Sequence, residues 1–102
     1  MENFKFLHDE TVRDEKVKKD LMNRINKIEG QIRGIKNMIE SDRYCVEILV
    51  QCAAVSAALS SFNKMMIDNH IRTCVKNDLE NGNDATIEEL VKVLDKFMKG
   101  VL

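Results

Sequence analysis

Three side chains of this sequence are soft metal donors set at helical intervals: Cys45, His70 and Cys74. His70 and Cys74 lie four positions apart, so on a helix they are neighbours on one face. Alone, such a pair equally fits a packed cysteine beside a solvated histidine. Cys45 precedes His70 by 25 positions. Seven turns of ~3.6 residues come to ~25.2, which places Cys45 on that same face. At a rise of ~1.5 Å per residue the two are ~37 Å apart, so one straight helix cannot offer both to one ion. An antiparallel second copy reverses the arrangement: Cys45 of one chain meets His70 and Cys74 of the other, twice by symmetry. Two thiolates and an imidazole favour Cu(I) and also suit Zn(II). Three ligands match trigonal Cu(I), whereas structural zinc takes four. Such ligands bind deprotonated, so affinity is expected to rise with pH near neutrality. Cys45 falls in the first turn of its helix, where the dipole favours thiolate. Cys52, two turns further on, reads as a buried cysteine packing as a small hydrophobe. His8, among Lys5, Asp9 and Glu10, reads as a solvated histidine.

The elements that must carry these residues are helical. Val17, Leu21, Ile25, Ile28, Ile32, Ile35 and Ile39 recur every three or four positions, which predicts an amphipathic helix of about 26 residues. Gly30 and Gly34 interrupt it one turn apart and predict the close approach of another backbone there. Ser41 and Asp42 read as a break and as the N-cap of the second helix. From about Arg43 to about Glu80 there is neither glycine nor proline. That predicts a second helix of about 38 residues, ~57 Å long. After Asn81-Gly82-Asn83-Asp84, Thr86-Ile-Glu-Glu89 has the form of a capping box and opens a third helix of about 14 residues. A compact domain of this size has a radius of gyration of only ~13 Å, so the two shorter helices cannot cover the long one. Its apolar face (Val46, Leu49, Ala53, Ala57, Phe62) therefore calls for an antiparallel, twofold dimer. The expected fold class is all-α, with residues 1–14 a mobile tail and 15–102 a single domain.

Composition narrows the function. The chain has 102 residues, 44% of them hydrophobic and 32% charged, which argues against wholesale disorder. No run of 18 apolar residues and no basic-flanked apolar leader appears, so neither a membrane span nor a signal peptide is expected. Three cysteines, an odd number, point to reduced thiols in a cytoplasm rather than to a disulfide framework. No nucleophile–base pair with an orienting third group is evident, so no enzyme is expected. The net charge of −1 excludes a strongly cationic nucleic-acid binder, but residues 16–36 carry seven basic side chains against two acidic ones. Arg24, Lys27, Arg33 and Lys36 of this stretch read either as a solvated face or as phosphate contacts. No helix-turn-helix or zinc-finger pattern is present.

Three stretches carry a resemblance: Arg24-Ile-Asn-Lys27-Ile-Glu-Gly-Gln-Ile-Arg33-Gly-Ile, Asp42-Arg-Tyr-Cys45-Val-Glu-Ile-Leu-Val-Gln51 and His70-x-x-x-Cys74. Together they closely resemble the CsoR/RcnR family of metal-sensing transcriptional repressors, over about residues 17–99. The resemblance implies antiparallel dimers paired into a tetramer, and a metal-free form that binds operator DNA. Metal binding then releases the DNA and derepresses efflux or resistance genes. Cys45, His70 and Cys74 match the copper-sensing branch, which implies Cu(I) as ligand and a copper chaperone as donor. Arg24, Lys27 and Arg33 match the family's DNA-contact helix, and Lys36 extends that basic row. Tyr44 and Glu89 match positions behind the ligands, where a carboxylate would accept the second imidazole N–H. Glu89 equally fits the capping box. Departures are Ser60 and Ser61, where many relatives carry a basic residue, with Lys64 a turn later, and Cys52, where an aliphatic residue is common. Two other readings stay open: a repressor sensing reactive sulfur through Cys45 and Cys74, and a helical copper buffer without a DNA role.

Overall fold

The computed structural model describes residues 5–99. Residues 1–4 of the expected tail and 100–102 of the expected domain lie outside them. Among the described residues the chain is all-α. Helix α1 spans Glu15–Glu40, α2 Cys45–His70, α3 Lys76–Glu80 and α4 Ala85–Met98, and a single π-helical turn, Ile71–Val75, joins α2 to α3. These form the three helical segments expected, with α2, the π turn and α3 together making the second.

The chain divides into two units, one of residues 13–67 and one of residues 5–12 with 68–99. In the first, α1 begins where the Asp14 carboxylate accepts the Lys16 backbone N–H at 3.1 Å. It ends where Asp42 adopts a left-handed backbone, φ 55°, and the Arg43 N–H closes onto Met38 O at 2.9 Å. Asp42 therefore terminates α1 rather than capping α2, whose first turn closes on the Tyr44 carbonyl. Asp is among the few residues whose short polar side chain tolerates that conformation. Leu21 and Ile28 are the buried residues of α1, while Ile32 and Ile39 stay exposed.

Helix α2 has no buried residue at all. Val46, Leu49 and Val50 face solvent, and Leu49 is 64% exposed. By length and composition the stretch Cys45–Glu80 is apolar enough to cross a membrane, with a mean hydropathy of 1.7 over 18 residues. Within one protomer Ile48, Val55, Leu59 and Phe62 are half-buried, while Val46, Leu49, Ala53 and Ala57 stay exposed. The glycines of α1 follow the same logic. A Cβ on Gly34 would meet nothing, and one on Gly30 only the Arg33 guanidinium at 3.7 Å. The expected backbone approach does not occur inside one chain, because this face of α1 points outward.

In the second unit, Val75, Asp78 and Thr86 form the buried centre, Thr86 at 0% exposure. Helix α4 starts one residue before Thr86, with Asp84 at its N-cap and no side-chain capping bond. The expected capping box is not formed: Thr86 is turned into the core, and Glu89 is engaged elsewhere.

Candidate metal-sensing site and basic face

His70 ends α2 and Cys74 sits within the π turn. The wide turn is marked by a five-residue bond from the Lys76 N–H to Ile71 O. The Thr73 hydroxyl also donates back to Asn69 O at 2.7 Å, a bond that bends helices. A π turn accommodates one extra residue, so α3 is rotated by ~100° relative to an uninterrupted α-helix. With that rotation Val75 and Asp78 are buried, and Cys74 is half-buried beside them.

Residues 5–12, without regular secondary structure, run across this margin. The Leu7 backbone N–H donates to Glu89 Oε2 at 2.6 Å. His8 Nε2 lies 2.9 Å and 3.0 Å from the two carboxylate oxygens of Asp78. The Cys74 thiol donates to Thr11 Oγ1 at 3.6 Å. A cleft of about 330 Å³ is lined by Phe6, His8, Glu10, His70, Cys74 and Glu89. A second, of about 340 Å³, reaches Cys74 between Thr11 and Asp78. His8, read from sequence as solvated, is therefore a bonded residue, because Asp78 offers it a carboxylate 70 positions away.

Asp78 is 6% exposed. The His8 hydrogen bond draws its carboxyl below the usual value of 3.8, against the upward push of burial. The Thr86 hydroxyl adds a weaker pull without reaching ordinary hydrogen-bond geometry, and the charges of His8 and His70 act in the same direction. Glu89 shares the cleft with His70, but its bonded oxygen is taken by Leu7 rather than by the imidazole or by a cap.

Cys45 is the first residue of α2 and exposed, in the unit that does not contain His70 and Cys74. All three cysteines are free thiols. Among the described residues no three His, Cys, Asp or Glu side chains of one chain form a metal-binding group. His70 and Cys74 are brought together by one turn of helix. Tyr44 is exposed at the start of α2. The three candidate donors are two sulfurs and one imidazole, soft ligands that suit Cu(I), and His70 and Cys74 open onto one cleft.

On α1 the four basic residues are exposed but not equivalent. Arg24 donates to Ser61 Oγ at 3.2 Å. It shares a cleft of about 370 Å³ with Lys27, Gln31 and Ala58. Arg33 is paired with Glu29 at 3.2 Å. With Lys36 it borders a separate groove of about 460 Å³ walled by Ile25, Ile28 and Ile32. The basic row therefore splits into an open pair, Arg24 and Lys27, and a pair flanking apolar surface. Ser61 stands where a basic side chain was expected, and it orients Arg24 instead.

Sequence reasoning missed His8, Thr11 and Asp78. No local signal marks them, since each contact joins positions more than 60 residues apart.

Comparison with known proteins bears on all of these residues. Residues 17–96 match the family described as metal-sensitive transcriptional repressor. The copper-sensing transcriptional repressor CsoR of Bacillus subtilis strain 168 is 45% identical over 85 residues, covering 82% of this chain and 84% of the relative. CsoR of Mycobacterium tuberculosis strain H37Rv is 39% identical over 75 residues, covering 72% of this chain and 63% of the relative, so this chain spans under two thirds of that longer protein. Among solved structures, the copper-sensing repressor CsoR with Cu(I) from Geobacillus thermodenitrificans NG80-2 superposes with a TM-score of 0.84 at 34% identity, covering 91% of this chain and 99% of that one. The nickel-responsive transcriptional regulator InrS gives 0.67 at 34% identity, covering 88% and 99%.

Proposed function

The chain belongs to the metal-sensitive transcriptional repressors, and on that premise we propose that it is a Cu(I)-responsive repressor acting in the cytoplasm. The metal-free protein binds operator DNA and Cu(I) releases it, derepressing copper efflux or resistance genes. Cys45 of one protomer and the His70–Cys74 pair of another would hold the ion, a soft cation that prefers sulfur donors. The observation that carries this reading is the shape of the ligand set. His70 and Cys74 open on one cleft, and Cys45 begins the 26-residue α2. The uncovered apolar face of α2 supports an antiparallel dimer, which aligns the two ends. Two such dimers form a tetramer that repeats the basic face of Arg24, Lys27, Arg33 and Lys36. A copper chaperone fits as donor of the ion.

The contacts of Glu89 support a route from the metal to the output. Glu89 holds the backbone of residues 5–12 at Leu7. A His70 that ligates through one ring nitrogen offers its other N–H as a donor, and Glu89 lines the same cleft. Competition between Leu7 and His70 for Glu89 would move α4 and the segment that crosses it. Thermodynamic linkage then requires DNA to weaken Cu(I) binding by the factor by which Cu(I) weakens DNA binding. The test pairs anaerobic Cu(I) titration, read by X-ray absorption, with fluorescence anisotropy on the upstream region of the protein's own operon. The expected result is three ligands, two of them sulfur, and loss of DNA binding on loading. Salt-sensitive DNA binding that ignores Cu(I) would reject the copper reading; no DNA binding at any ionic strength would reject the repressor.

A further inference from the structure

Leu7, His8 and Thr11 of the segment before α1 each bond a residue of the second unit, and the partner of His8 is buried. Leu7 contributes a backbone N–H to Glu89, and Thr11 an oxygen to the Cys74 thiol at the long distance of 3.6 Å. His8 contributes an imidazole to both oxygens of Asp78. Asp78 is 6% exposed, and His8 is its hydrogen-bonded partner, with the charge of His70 acting in the same direction. A buried carboxylate needs a donor, so leaving it unpaired costs more than the bond itself yields. His8 sits between Leu7 and Thr11, so holding its ring on Asp78 holds Leu7 at Glu89 and Thr11 at the Cys74 sulfur. The other ionisable groups lining the two clefts beside His8 are Asp9, Glu10, Glu89, His70 and Cys74.

From this geometry we infer that His8 and Asp78 are positioning residues for metal capture: their pairing seats residues 7–11 over Cys74 and His70 and sets how readily that sulfur is reached and vacated. The inference rests on the reading of Cys74 as a Cu(I) ligand, but the seating of the segment is measurable without metal. Neither residue touches the ion. Their effect passes through Thr11 and Leu7.

The test is peptide-resolved alkylation of the metal-free, full-length protein by iodoacetamide. Trypsin releases Cys74 in the peptide Thr73–Lys76 and Cys45 with Cys52 in Tyr44–Lys64, so the latter two serve as internal controls. His8→Ala is expected to speed Cys74 modification about two- to tenfold, the range set by loss of one net hydrogen bond, with Cys45 and Cys52 unchanged. His8→Gln keeps a side-chain N–H and is expected to restore most of the wild-type rate. Asp78→Asn is expected to match His8→Ala, and the double variant to go no faster than either. Because Asp78 lies in the core, His8→Ala, on an exposed segment, keeps the test decisive if Asp78→Asn misfolds. Release of Cu(I) from the loaded protein to a chelator should accelerate in the same order. An unchanged Cys74 rate in His8→Ala, equal rates for the Ala and Gln variants, or a double variant showing additive effects would overturn the inference. Wild-type protein that binds no Cu(I) would instead overturn the parent reading and leave the alkylation result standing.

Discussion

The proposed sharing of each site between two chains makes a quantitative prediction about mixed oligomers. Cys45 and His70 are the first and last residues of a 26-residue helix, a rise of ~37 Å between them. Metal–sulfur and metal–nitrogen bonds are only about 2.0–2.3 Å long, so coordination in cis would require α2 to fold back on itself. Consider Cys45→Ser and Cys74→Ser as separate proteins. Each homodimer has two sites with two ligands apiece. A mixed dimer has one site that lacks both sulfurs and one that is complete, because the complete site takes Cys45 from one variant and the His70–Cys74 pair from the other. Random assortment makes about half of all dimers mixed, so an equimolar co-refolded pool should recover about a quarter of the wild-type Cu(I) capacity. The assay is anaerobic titration against a chelator stringent enough to strip two-ligand sites, with native mass spectrometry counting ions in the mixed dimer. Recovery of no capacity in verified mixed dimers would refute sharing across the interface. Full capacity in Cys45→Ser alone would remove Cys45 from the ligand set.

Further outcomes are expected in other parts of the molecule. His70→Ala should retain operator binding yet lose release by Cu(I), read by anisotropy; release on persulfide treatment that persists in this variant, with a sulfur bridge between Cys45 and Cys74 of two protomers, would favour the reactive-sulfur sensor. Arg24→Ala and Lys27→Ala should each weaken DNA binding and lower the slope of log K against log salt by about one per protomer contact, whereas an unchanged slope would mark a merely solvated face. Leu21→Ala, at a buried position of α1, should cost roughly 2–5 kcal/mol in urea unfolding. Asp78 is held below 3.8 in the folded chain, so its contribution to stability is present above that value and is lost as pH falls through the lowered folded value. Asp78→Asn should therefore flatten the acid limb of a denaturation curve, and an unaltered limb would show that the His8 pairing adds nothing.

Much of this protein is readable from local pattern. The isoleucine stripe and its spacing locate α1 almost residue by residue, since burying one face every 3.6 residues is a property of the segment itself. The lack of glycine and proline from Arg43 to Glu80 marks the second segment for the same reason. The donor types at 45, 70 and 74 point to soft-metal chemistry, and the mismatch between a long apolar helix and a small chain points to a second copy. The capping-box pattern misleads: Thr86 has the right neighbours for a cap, but its burial against Asp78 wins over local hydrogen bonding.

The tertiary structure decided what depends on residues distant in sequence. The π turn at Ile71–Val75 is not marked by any glycine, proline or other break in the sequence, and it accompanies the burial of Val75 and Asp78. The joining of Leu7 to Glu89, His8 to Asp78 and Thr11 to Cys74 is likewise invisible in the string of letters. Helical periodicity is written into neighbours a few positions apart, whereas a carboxylate buried by folding chooses its partner only after the chain has brought distant segments together.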